Sequence, residues 1–439
     1  MLPTADADLT DRDPGLPALR ALLAPEELRD RIAALLPAAA ELPRSVRIDR
    51  LDYRPAGGSA RAGAVLEYAD RTRRVTVTAH RPGDGGPGPD RSWSPAGRPG
   101  AGVVDVTELT DPGWPGVLAD REHGLVVTAA ADDPGLPALR HFTAGPERFA
   151  PLPGGRVRTL RHEPGRRWSG RVEDAAGQPR YTVRCRADGV NVAAHLALAA
   201  AGVPVPDLQR VSRFGVLATR WVPGGTLGAL LAAADPAVGD ALAATGELLA
   251  RIHAVPPPRE LPESDAPPTA GAAARAIAAL LPGLTERATA VAAACDAAAR
   301  HGGRTGDLMV LSLGACTADH IAAGERPVPL GLDRVRVAHP AEDLAEFAAG
   351  EIAAGRSAAD APERVLGPLL DGYLSAAPAD GAAAVRGALA ARTAGALLRR
   401  AVLPFRRREA HWPELTAGLL AAAETMAEAG TGPHVLSGD

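Results

Sequence analysis

The octapeptide DPGLPALR occurs twice, at 13–20 and 133–140. Each copy is followed by a block that reads strand, Pro-containing turn, strand, turn, strand. The first block spans 47–80 and the second 156–188. The third strand alternates in both, with Val75 and Val77 in one and Tyr181, Val183 and Cys185 in the other. A period of two marks half-buried antiparallel strands. The repeat therefore predicts two sheets of one design, the product of a duplication.

From Asp235 onward the pattern changes. The stretch 241–255 places Leu242, Leu248, Leu249 and Ile252 close to one helical face. Segments 271–300, 360–376, 381–403 and 413–429 are Ala/Leu-rich helix candidates. The order is strand-rich, strand-rich, then helical, which predicts an α+β fold with segregated layers. Residues 81–102 are Gly/Pro-rich with little to bury and read as a flexible loop. Residues 255–270 read as a second loop, and the tail from Gly430 as frayed. At roughly 150 residues per domain, 439 residues suit two to three domains. The expected boundaries are 1–130, 131–220 and 221–439.

Two absences limit the chemistry. All 48 basic residues are Arg, and Asn191, Gln178 and Gln209 are the only side-chain amides. A mechanism that needs Lys, or an amide in the C-terminal half, is excluded. A P-loop is excluded with it. Cys185, Cys295 and Cys316 are odd in number and far apart, with no CxxC pair, so they read as free thiols of a cytoplasmic protein. The N-terminus is acidic and no run of 18 apolar residues occurs, so neither a signal peptide nor a membrane span is expected. The net charge of −4 argues against a polyanion-coating protein. The Arg-rich segment 156–186 reads as a solvated strand face, so no nucleic-acid partner is expected.

Several strings, taken in order, resemble the aminoglycoside phosphotransferase family, a small-molecule branch of the protein-kinase-like fold. AGVPVPDL (201–208), RWVPGGTL (220–227) and GELLARIHAV (246–255) resemble its run from the small lobe into the large lobe. TGDL (305–308) resembles its catalytic loop, and LDRVRVAHPAEDLAEF (332–347) its metal-binding segment. PFRRREAHWPEL (404–415) resembles the C-terminal helical region of some bacterial members. The resemblance implies a bilobal kinase-like fold: an antiparallel-sheet small lobe and a helical large lobe. The first 130 residues then form an extra small-lobe-like domain. It also implies ATP as cofactor and a small-molecule or peptide ligand in the interlobe cleft.

The family's working parts can be matched residue by residue. Phosphoryl transfer needs positioning and neutralisation of phosphate charge. Asp307 matches the general base. Arg184 stands where the family has the phosphate-gripping Lys, and Arg is not a neutral replacement. The carboxylate that normally pairs with that Lys is missing from the following helix, whose polar residues are Asn191 and His195. Gly165, Arg166 and Arg167 match the turn over the phosphates. Ser312 stands in place of the metal-binding amide. Gly331 stands in place of the main metal Asp, Asp333 matches the second Asp, and Asp343 a structural one that braces the large lobe. Loss of one preorganised electrostatic contact costs roughly 10²–10³ in rate. Here Lys, Glu, amide and Asp are replaced together. Asp333 and Ser312 remain as the candidate metal ligands, and Mg²⁺ chemistry is in doubt. The favoured expectation is a pseudokinase acting as a binding or scaffold partner, with a protein partner among its candidates. The alternative is an ATP-dependent phosphotransferase acting on a hydroxyl of a small molecule or peptide.

Overall fold

The chain divides into two compact units. One comprises Met1–Val190, Asp207–Trp221 and Phe405–Ala410, and the other Asn191–Pro206, Val222–Pro404 and His411–Asp439. The computed structural model describes residues 2–83, 104–110, 114, 116–259, 261, 267–302, 308–324, 326–359 and 363–431.

The first unit is sheet-rich. It opens with α1 (Thr4–Arg12), α2 (Leu19–Leu23) and α3 (Pro25–Leu35). Strands β1 (Ser45–Arg54), β2 (Ser59–Glu67), β3 (Thr72–His80), β4 (Val104–Asp105), β5 (Val117–Asp120) and β6 (Leu125–Ala129) follow. Then come α4 (Pro137–Thr143), β7 (Gly155–Glu163), β8 (Arg167–Glu173) and β9 (Pro179–Arg186). After α5 (Ala193–Ala200), which belongs to the other unit, β10 (Leu208–Ser212) and β11 (Val216–Arg220) complete it.

Two sheets result. One runs β1-β2-β3-β6-β5, and the other β10-β11-β9-β8-β7-β4. Apart from the edge strand β4, both follow the order first, second, third, fifth, fourth. The pairings match in register as well. Ala60↔Ala79, Ala62↔Val77 and Ala64↔Val75 in the first sheet correspond to Trp168↔Cys185, Gly170↔Val183 and Val172↔Tyr181 in the second. The alternation expected in both third strands holds: Val75 and Val77, like Tyr181, Val183 and Cys185, are buried. Both octapeptides make the same turn. Leu16 N donates to Asp13 O (3.1 Å) and Leu136 N to Asp133 O (3.0 Å). Leu19 N then donates to Leu16 O (2.9 Å) and Leu139 N to Leu136 O (3.0 Å). Both turns deliver buried leucines at matching positions. Strand β4, from the expected first domain, pairs parallel with β7 of the second sheet.

The second unit is helical, as its sequence pattern implies. It contains α6 (Leu227–Ala232), α7 (Val238–His253), α8 (Ala270–Leu280) and α9 (Thr285–Gly302). Strands β12 (Val310–Ser312), β13 (Ile321–Ala322), β14 (Val328–Pro329) and β15 (Arg336–Ala338) form two short hairpin-like pairs, β12 with β15 and β13 with β14. Helices α10 (Ala341–Ala353), α11 (Glu363–Ala376), α12 (Ala379–Arg400), α13 (Leu403–Arg406) and α14 (Trp412–Thr431) follow, with α13 ending in the first unit's last segment. Leu242, Leu248, Leu249 and Ile252 of α7 are buried on one face. Gly246 and Gly372 let α7 and α11 meet backbone to backbone, since a Cβ at either would strike a carbonyl oxygen of the other helix. The expected single helix over 271–300 is two helices. Pro282 interrupts it, because proline cannot supply the N–H that a continuous helix needs. Among the described residues no helix is long and apolar enough to cross a membrane.

Candidate functional site

The β7–β8 turn carries three of the expected ligand-binding residues. Gly165 has φ +68°, a left-handed conformation that favours glycine. Its N–H donates to Asp133 Oδ2 at 2.6 Å, and the Arg61 guanidinium packs where a side chain at 165 would project. Arg166 is exposed, and its backbone bridges Glu163 O and Ala187 N at 3.0 and 2.9 Å. Arg167 is committed elsewhere. Its Nε and Nη2 fork onto Glu163 Oε2 and Oε1 at 2.9 and 3.0 Å. Burial alone would raise the Glu163 carboxyl, but Arg167, Arg161 and Arg50 together hold it well below the usual carboxylate range.

Arg184 sits mid-strand on β9, opposite Ser169 of β8 and Leu217 of β11. It lies on the face away from Tyr181, Val183 and Cys185, the same face as Arg167. Strand alternation places Arg184 and Arg167 as diagonal neighbours, since Arg167 pairs with Arg186. The sheet thus gathers the four expected phosphate-side residues onto one hairpin and its neighbouring strand. Gly170 is buried under the Trp168 ring, which fills the space of a Cβ there.

The other expected residues lie in the helical unit. Ser312, the last residue of β12, is fully buried. Its hydroxyl donates to Asp343 Oδ1 at 2.9 Å and accepts from Gly314 N at 3.1 Å. Asp343, on α10, also accepts from Leu313 N at 2.9 Å and faces His253 Nε2 at 3.1 Å. The other ring nitrogen of His253 meets Tyr373 Oη at 2.9 Å. Burial, with Asp343 and Asp380 nearby, pushes the Tyr373 phenol well above its ordinary value. Four residues from β12, α10, α7 and α11 thereby close one buried polar chain. Each polar atom has a partner, as burial requires. The brace role expected of Asp343 is the geometry found.

The two expected metal ligands, Ser312 and Asp333, lie on β12 and in the turn Leu332–Arg334. Ser312 spends its hydroxyl hydrogen and one lone pair inside the protein. Asp333 lies half-buried in the 3₁₀ turn Leu332–Arg334. Gly331, just before it, has φ −112°, and an added Cβ would make ordinary contact with His320 at 3.8 Å. Among the described residues, no group of three or more His, Cys, Asp or Glu gathers with metal-binding geometry. Asp307 and the loop TGD lie outside the described residues, as do residues 84–102 of the Gly/Pro-rich loop and the tail beyond 431.

Sequence reasoning missed His253 and Tyr373. His253 lies inside a quoted motif, but nothing local marks its partner 120 residues away. It also missed Glu163, which binds Arg161 and Arg167 of its own hairpin, and Arg61, whose place over Gly165 depends on how the two sheets meet. The three cysteines are free: Cys185 and Cys316 are buried, and burial raises both thiols.

A model of the phosphotransferase enzyme family matches residues 160–385. No curated protein matches the chain. Among solved structures, a choline/ethanolamine kinase family protein from Mesorhizobium loti is 16% identical, covering 62% of this chain and 88% of its own at a TM-score of 0.42. A choline kinase from Cryptosporidium parvum is 10% identical, covering 66% of this chain and 96% of its own at 0.45. An ethanolamine kinase from Plasmodium vivax is 9% identical, covering 62% and 82% at 0.41.

Proposed function

The chain belongs to the phosphotransferase enzyme family, and we propose that within it this protein is a pseudokinase that acts by binding rather than by phosphoryl transfer. One observation carries the reading. The residue at the metal-amide position, Ser312, has its hydroxyl closed into a buried chain with Asp343, His253 and Tyr373. Turning it outward would leave Asp343 Oδ1 without that bond in a buried setting, at a cost of about 1–3 kcal/mol. Gly331 supplies no side chain at the main metal position. On the phosphate side, Arg167 is held by Glu163 and the Gly165 N–H by Asp133. Family membership survives such losses because a fold outlives its chemistry.

The same strand order and register in both sheets, together with the shared octapeptide turn, support a duplication that added residues 1–130 ahead of the sheet at 131–220. The added sheet supplies a binding surface of its own, and the partner is a small molecule, a peptide or another protein. Asp307, retained in TGDL, supports the alternative of an active ATP-dependent phosphotransferase on a hydroxyl acceptor.

Thermal unfolding with ATP, with and without Mg²⁺, separates the two. A ligand at ~100 times its dissociation constant stabilises by about 2.7 kcal/mol. The expected result is no Mg²⁺-dependent shift. A Mg²⁺-dependent shift, with ATP turnover abolished by Asp307→Ala, would establish the active enzyme instead.

A further inference from the structure

One face of β1 meets the tip of the β7–β8 hairpin and the segment 405–408. Residues Arg50, Asp52 and Arg54 alternate along that face. Arg54 pairs with Asp52 at 3.0 Å, and Arg406 reaches the same carboxylate at 3.5 Å. Arg406 therefore stands beside Arg50. From the hairpin, Arg161 and Arg167 both hold Glu163, at 2.5 and 2.9 Å. Five guanidiniums thus share two carboxylates.

Arg50 is the least satisfied of the five. Its side chain is only 12% exposed, and the carboxylate oxygen nearest to it, Glu163 Oε1, lies at 3.8 Å. That is longer than a hydrogen bond. Burial, and then the neighbouring Arg161 and Arg406 acting against Glu163, draw the Arg50 guanidinium down to about 10. A buried cation whose nearest carboxylate stands beyond hydrogen-bond reach, next to other cations, is stabilised when a further anion joins it. Arg161 and Arg406 are 41% and 30% exposed, so the cluster opens to solvent on their side.

We propose that Arg50, Arg161 and Arg406 form a binding site for a small phosphate-bearing anion, lying between the first sheet, the β7–β8 hairpin and the 405–408 segment. Guanidinium forks match the oxygens of phosphate in geometry and charge. The anion supplies the charge that Glu163 and Asp52 leave unbalanced. The site uses neither Asp307, Ser312 nor a metal, so it stands whether or not ATP binds elsewhere.

The test is thermal unfolding of the full chain with inorganic phosphate, against sodium chloride of equal ionic strength. The expected result is a higher melting temperature in phosphate, and loss of that difference in Arg50→Met and Arg406→Gln. Arg50→Met should also melt no lower than the parent in phosphate-free buffer, because it removes a buried charge beside like charges, so the variant reports on binding rather than on misfolding. For the parent, titration calorimetry with pyrophosphate should show a dissociation constant at least about tenfold weaker in either variant, a difference of 1.4 kcal/mol. Equal shifts in phosphate and chloride would overturn the proposal, as would a phosphate shift that survives Arg50→Met.

Discussion

The two sheets of the first unit share strand order, register and an eight-residue turn, yet they are filled and wired differently. Where β2 of the first sheet places Ala60, β8 of the second places Trp168. The Trp168 ring stacks on Phe142 with centroids 5.5 Å apart, and Phe149 lies edge-on to Phe142 at 5.9 Å. The matching layer of the first sheet is built from Ala60, Ala62, Ala64, Val75, Val77 and Ala79. In the third strand, Thr78 of the first sheet occupies the register position of Arg184 in the second, since Thr78 pairs with Val126 and Arg184 with Leu217. The comparison teaches that the backbone design tolerates two different cores. It also shows that the two sheets place different side chains at matching register positions, Thr78 in one and Arg184 in the other.

The largest expected effect tests the difference in cores. Trp168→Ala should destabilise by about 3–5 kcal/mol, whereas Ala60→Gly at the matching position should cost about 0.5–1 kcal/mol. Chemical denaturation of each variant measures both. Equal losses would mean that the aromatic stack is not what supports the second sheet.

Next comes the octapeptide itself. Asp133 is buried and accepts from Gly135 N, Gly165 N and Thr76 Oγ1. Asp13, its counterpart, is half-buried and accepts from Tyr53 Oη at 3.0 Å. Asp133→Ala should therefore cost about 2–3 kcal/mol by stranding buried donors, and Asp13→Ala under about 1 kcal/mol. Hydrogen exchange at the Gly165 amide should accelerate in the first variant only.

A third contrast is titratable. His162 of β7 pairs with Trp168 as Tyr53 of β1 pairs with Ala60. Both ring nitrogens of His162 are buried without a hydrogen-bond partner. Burial, reinforced by Arg74 against the nearby carboxylates, lowers its pKa from 6.5 to about 4. The unfolded chain then binds a proton that the folded chain refuses, so stability falls as pH drops from 6.5 towards 4, by up to about 1.4 kcal/mol per pH unit. His162→Leu should flatten that part of the stability–pH profile. A profile unchanged by the substitution would remove His162 as its source.

The smallest effect sharpens the functional half of the comparison. Arg184→Thr, which gives the second sheet the residue found in the first, should change stability by less than about 0.5 kcal/mol. If the protein is a pseudokinase, it should also leave the response to ATP unchanged in calorimetry. A clear loss of ATP binding would show that the second sheet still grips phosphate.

Local periodicity was enough to locate much of this molecule. The alternation in both third strands, the buried face of α7 and the change from strands to helices all depend on residues within a few positions of each other. Pro282 is visible in the sequence too, but the Ala/Leu-rich composition on both sides of it masks the break between α8 and α9. The family resemblance came from short strings in order, and the family match at 160–385 agrees with it.

What only tertiary structure decided is partnership. Ser312, Asp343, His253 and Tyr373 come from four elements, and no local pattern says that one carboxylate will hold the serine, a backbone amide and the histidine together. Likewise Arg167 was legible as a basic residue near a turn, but its capture by Glu163 depends on side chains meeting across a hairpin. Arg50 looked like one strand arginine among 48 basic residues. Its burial beside Arg161 and Arg406 follows from the contact of the first sheet with a segment some 350 residues later. Sequence by itself determines which groups are present and which elements they ride on. Whether a given group is bonded, buried or open depends on desolvation and distance between remote segments, and those quantities exist only in the folded chain.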